Sequence, residues 1–171
     1  MTEFNRSDRP PRSGPEMLIR RLKASQSIHC TVLSQSLWGV WTHWNGARSE
    51  PCYAEKKECP GCKRGLPKRW KGYLHVVDNM ANSTMFLELT PSAAEKILAV
   101  LGEADSLRGN RMKVARLAGD KARLVVELML PFKDVDSLPK SQDPYCTLKK
   151  LWGIEEKSPM EKRLEDLDKN Q

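Results

Sequence analysis

The sequence predicts a mainly β domain of the α+β class: a small barrel or curved sheet with one helix, a loop insertion and a flexible C-terminal tail. Three observations carry that expectation. Short apolar runs with period-two alternation recur between turn signals, one segment alone has a capped helical stripe, and one cysteine-bearing stretch lacks apolar periodicity altogether.

The elements follow in order. Residues 1–15 hold Arg6, Arg9 and Arg12 among Pro10, Pro11 and Pro15, with almost nothing apolar, and read as a disordered basic arm. The globular domain then spans 16–138. Met17–Leu22, Ile28–Leu33 and Leu37–Trp44 are strand signals. In the last of these, Trp38, Val40, Thr42 and Trp44 share one face while Trp41 and His43 share the other. Since one face must be buried, Trp38 is expected in the core, and one of Trp41 and Trp44 is expected to be structural.

Asn45–Pro67 has Gly, Pro, Cys and charge, so it needs something other than a core to hold it. Trp70–Val77 and Thr84–Leu89 give two further strands. Thr90 followed by Pro91 supplies a capping hydroxyl and a first-turn proline, and Ala94, Ile97, Leu98 and Leu101 form the helix's apolar stripe. Arg111–Leu117 and Ala122–Leu130 flank Ala118-Gly119-Asp120-Lys121 as a closing hairpin. Five or six strands with one helix match the oligonucleotide-binding (OB) barrel most closely. Residues 139–171 read as a linker and an acidic interaction tail, carrying the isolated apolar cluster Tyr145, Leu148, Leu151, Trp152 and Ile154 as a docking segment.

The chain has 171 residues, and 29 Lys and Arg against 22 Asp and Glu leave a net charge of +7. That excess favours a polyanionic partner. No apolar run is long enough to cross a bilayer, and the polar N-terminus lacks a secretory apolar core, so a cytoplasmic protein with no membrane role is expected. In a reducing compartment, Cys52, Cys59 and Cys62 point to a metal site rather than to disulfides.

The metal signal is His43, Cys52, Cys59 and Cys62. Cys59-Pro60-Gly61-Cys62 is a tight turn that aims two sulfurs at one point, and three thiolates with one imidazole make a standard structural zinc set. The expected cofactor is Zn2+, holding the loop 43–67. The fourth ligand stays open at this stage, because His29, Cys30 or His75 could replace His43. Zinc deaminase chemistry is excluded, since no histidine has a glutamate two residues on. No nucleophile with a base, carboxylate pair or phosphate loop stands out, so the expected function is non-catalytic.

Around that loop, bases and rings interleave. Lys63, Arg64, Lys68, Arg69 and Lys71 alternate with Trp41, Trp44, Tyr53, Trp70 and Tyr73, and Arg111 and Arg116 add a second basic group. Single-strand binders use this combination, cations following phosphates while rings stack on bases. The expected partner is therefore single-stranded DNA or RNA. The alternative is an accessory subunit of a replication, recombination or RNA-guided complex, docked through the zinc loop and the C-terminal tail.

The order His43…Cys52…Cys59-x2-Cys62, with a basic arm, a basic and aromatic middle and an acidic tail, resembles the zinc-bearing single-stranded-DNA-binding proteins of T-even phages. The resemblance covers residues 37–77 and the overall layout. It implies an OB barrel, a metal that pins a loop beside an aromatic-lined cleft, and an acidic tail that recruits replication proteins. It carries His43 and the three cysteines over as zinc ligands and no individual DNA contact.

Overall fold

The computed structural model describes residues 18–52, 59–101, 106–119 and 123–152. Eight strands form one mixed sheet: β1 (Leu18–Arg20), β2 (Ser27–Val32), β3 (Trp38–Trp44), β4 (Ser49–Pro51), β5 (Lys68–Asp78), β6 (Ser83–Leu89), β7 (Arg111–Arg116) and β8 (Leu124–Met129). Among the described residues three α-helices accompany them: α1 (Pro60–Lys63), a single turn, α2 (Pro91–Leu101) and α3 (Pro144–Leu151). The strand order is β1-β6-β5-β2-β7-β8, with β3 paired to β5 and β4 hung from β3.

The eleven-residue β5 is the spine. Along one edge its residues 68–73 pair with β3 and 76–78 with β2, while its other edge pairs with β6 over 72–78. The expected mainly β fold stands, as an open curved sheet and not a barrel. Closure would require the terminal strands β1 and β8 to pair. Instead β1, only three residues long, runs parallel to β6 at one edge, and β8 ends the other.

Register decides which side chains share a face. Ile28, Cys30 and Val32 of β2 align with Val114 and Met112 of β7 and Val76 of β5, and these meet Met85 and Leu87 of β6 and Val126 of β8. All are buried, and Ala93 and Ile97 of α2 close over them as the main core. The helix starts as the Thr90-Pro91 pair predicts, with Thr90 Oγ1 accepting from the Ala93 amide at 3.4 Å.

The opposite face carries a second core that moves the expected domain boundary. Residues 139–152 are part of the body, not a free linker and tail. Leu148 of α3 is fully buried against Tyr73 and Phe86, with Ile19, Trp38, Val40 and Trp152 packed around them. Trp152 meets Tyr73 edge to face at 5.8 Å between ring centres. The approach to α3 is fastened by Arg108, whose Nη1 donates to the carbonyls of Leu33 and Pro139, both at 2.9 Å, and whose Nη2 donates to that of Leu138 at 2.8 Å. Replacing Leu148 with alanine is expected to lower the unfolding free energy by about 2–5 kcal/mol, as for other fully buried leucines. Urea denaturation measures this, and a loss below about 0.5 kcal/mol, typical of surface changes, would remove α3 from the folded body.

His75 joins the two layers. It is buried beside Phe86, and its Nδ1 accepts from the Gln142 amide at 3.1 Å, so the ring is neutral with its proton on Nε2. Burial first, and the nearby Arg108 charge second, lower its pKa to about 4 from 6.5. Below pH 6.5 the unfolded chain takes up this proton while the folded chain refuses it until pH 4, so stability falls as pH falls through that window. Chemical denaturation between pH 7 and 4 should show this slope reduced in His75→Gln. An unchanged slope would mean that His75 does not set it.

Candidate metal centre

His43 comes from β3, Cys52 follows β4, Cys59 precedes the single turn α1 and Cys62 lies within it. Their four donor atoms lie within 4.8 Å of one another. Cys52 Sγ is 3.6 Å from Cys62 Sγ, which is 3.4 Å from His43 Nε2. A tetrahedral ion with metal–sulfur bonds near 2.3 Å and metal–nitrogen bonds near 2.0 Å sets such pairs about 3.8 and 3.5 Å apart. The donor set therefore fits one tetrahedral metal ion.

Local sequence explains the convergence. The turn after Cys59 closes through Lys63 N to Cys59 O at 3.0 Å and Gly65 N to Cys62 O at 3.0 Å, which folds both sulfurs to one side. Cys52 is anchored across the hairpin by its amide bonding to Trp41 O at 2.8 Å. His43 Nδ1 donates to the Leu66 carbonyl at 2.9 Å, which fixes the tautomer and leaves the Nε2 lone pair for a metal. Gly61 leaves room for that ring, since a Cβ there would lie 2.4 Å from His43 Cγ.

The alternatives for the fourth ligand fall away. Cys30 is buried in the main core, with its thiol pushed up to about 12 by burial and then by Asp78, and the ring of His75 is held by Gln142. His29 faces Lys113 on β7. Among the described residues, His43 and the three cysteines are the one such donor group. Burial, followed by hydrogen bonds from Cys62 and Cys59, pushes the Cys52 thiol up to about 11. The Cys52 thiol thus stays protonated at neutral pH, and a divalent cation reverses that preference, so metal uptake releases a proton there.

The basic and aromatic residues divide. Trp41 and Trp70 are directly paired on the face that bears His43, with Lys68 opposite His43 in the next pair. Trp41 is 55% exposed. Trp70 lies across Gly39 and Gly72, where an added Cβ would meet its ring at 2.4 and 3.0 Å, so the two glycines form its seat. Lys63 and Arg64 are exposed on the turn that carries Cys62, whereas Arg69, paired with Thr42, is exposed on the opposite face of the sheet.

Other expected contacts land elsewhere. Tyr73 is buried in the second core and cannot stack on a base. Lys71 donates to Glu88 at 2.7 Å, so its charge is already matched. Arg111 and Arg116 lie on β7, with β2 and β5 between them and β3. Trp44 points to the opposite face, where the Arg21 guanidinium lies 5.6 Å from its ring centre. Leu148 and Trp152 pack on the chain's own sheet, which corrects their reading as partner contacts. Tyr145 and Leu151 lie in α3, while Tyr53 and Ile154 fall outside the described residues.

Sequence reasoning singled out Gly61 for the turn but missed Arg21, Gly39 and Gly72 as parts of this region. The glycines carried a readable signal, since Gly39 and Gly72 each lie two residues from a tryptophan in an alternating strand, the spacing at which a ring can cover a cross-strand glycine. Arg21 carried none. No helix among the described residues is long and apolar enough to cross a membrane. Compared with known protein families, curated proteins and solved structures, the chain matches none.

Proposed function

We propose that this chain is a non-catalytic single-stranded nucleic-acid-binding protein whose loop is held by a structural zinc. One observation carries the reading: the exposed Trp41 lies paired with the half-buried Trp70 on the sheet face that bears the metal donor His43, with Lys68 on that face and Lys63 and Arg64 exposed on the adjoining turn. Two adjacent rings offer successive bases a stacking surface, and flexible cations at the rim neutralise phosphates without reading sequence. Four protein donors leave a tetrahedral zinc no position for water, so the metal shapes the loop rather than performing hydrolysis. The likeness to the phage single-strand binders in ligand order and charge layout supports the same assignment.

The accessory-subunit alternative leans on the tail, and its two described anchors, Leu148 and Trp152, spend their apolar surface on the chain's own sheet. Fluorescence titration with a labelled single strand and a matching duplex at two salt concentrations tests the proposal. The expected result is salt-sensitive binding that favours the single strand and quenches tryptophan emission. Equal weak binding to both would overturn it.

A further inference from the structure

We propose that two copies of this chain pair edge to edge through β8, joining their sheets across a two-fold axis. The inference is independent of nucleic-acid binding and rests on β8 having, among the described residues, a ladder partner on one side only. β8 ends the strand order among the described residues, and Leu124-Val125-Val126-Glu127-Leu128-Met129 contains no Pro or Lys and a single charge, Glu127, so it carries little of what usually keeps an edge from pairing. Leu130, which follows it, is 84% exposed and Met129 is 38% exposed. The other two sheet ends, β1 and β4, are three residues long, too short to template much pairing. An apolar groove of about 480 Å3 runs along β8 beside Lys96 of α2, lined by Val125, Val126, Glu127 and Leu128.

The register proposed for the second copy places the two-fold axis on Val126. A two-fold axis perpendicular to the sheet keeps the core faces of both copies on the same side, so each residue must oppose one of its own facing. Centring the axis on Glu127 would set two carboxylates against each other. Centring it on Val126 aligns Leu124 with the partner's Leu128 on the core face, where these side chains extend the core past the groove. On the other face it sets Val125 opposite the partner's Glu127, which lies one diagonal step from this copy's Arg123. Leucines and valines thus meet their like, and each carboxylate lies within reach of a guanidinium.

Sedimentation velocity of the full chain, from low to high micromolar concentration, tests this. A concentration-dependent dimer is expected, and a monomer throughout overturns the proposal. Val125→Glu adds a carboxylate opposite the partner's Glu127 on both sides of the axis, and should raise the dissociation constant by about tenfold or more. Combining it with Glu127→Lys should restore the dimer. A dimer indifferent to Val125→Glu, or not restored by the pair, overturns the register and the proposal with it. Should Val125→Glu not fold by its thermal midpoint, Arg123→Glu at an exposed site loads the same charge pair and should weaken the dimer in the same direction.

Discussion

Gly61→Ala is expected to lower the affinity for zinc by about tenfold or more, comparable to losing an outer contact that orients a ligand. The added methyl would stand 2.4 Å from His43 Cγ and 2.5 Å from its Cδ2. Neither neighbour can yield cheaply. The turn is fixed by its backbone bonds, and the imidazole is fixed by Leu66 on one side and by the direction of the sulfurs on the other. Relieving the overlap turns Nε2 away from Cys62 Sγ, now 3.4 Å distant, and leaves a three-sulfur site. Competition with a chromophoric chelator measures the change, with one zinc per chain expected for the unmodified protein. Gly65→Ala is the comparison: its Cβ would meet nothing within 4 Å, so its backbone strain at φ +68° costs stability without touching the imidazole. Equal zinc affinity in the Gly61 variant and the unmodified protein would mean that His43 is not a ligand.

The second large effect separates two neighbouring tryptophans. Trp41→Ala should weaken single-strand binding by about 1–3 kcal/mol, the range for one lost base stack, and barely change the thermal midpoint because the ring is more than half exposed. Trp70→Ala should weaken binding and lower the midpoint as well, because its ring covers Gly39 and much of Gly72, which it shares with Leu37. Paired titrations and thermal melts on both variants give the result. If Trp41→Ala binds as tightly as the unmodified protein, the open face near the metal is not where the strand lies, and the Arg21–Trp44 side becomes the surface to test.

The residues show why some of this was legible in the sequence and some was not. Alternation at Leu124, Val126 and Leu128 located β8, and Thr90-Pro91 located the start of α2, because both signals are local. The metal set was legible because Cys59-x2-Cys62 fixes two donors in one turn, and the order of His43 and Cys52 supplied the rest. Burial of Tyr73 was not legible. Its neighbours Lys71 and Arg69 look like a solvated face, and only the arrival of Leu148 and Trp152 from over seventy residues away covers it. The same distance hid α3 itself, since an apolar patch after prolines describes a segment that docks on another molecule as well as one that docks on its own. The parallel pairing of β1 with β6 and the Lys71–Glu88 ion pair are equally long-range, and no period or spacing announces them.

The spine strand β5 passes through two environments, and this divides the molecule's cooperativity. Over residues 68–71 its only described ladder partner is β3, whereas from Gly72 onward β6 pairs with it as well. The metal-bearing hairpin therefore hangs on a single ladder and the donor cluster, while the α2-covered core is laced from both sides. Such a lobe can open by itself, at a free energy below that of global unfolding. Amide hydrogen exchange should then resolve two populations along one strand: Arg69 and Lys71 exchanging faster when zinc is stripped, and Leu74 and Val76 exchanging at one rate whether or not the ion is bound.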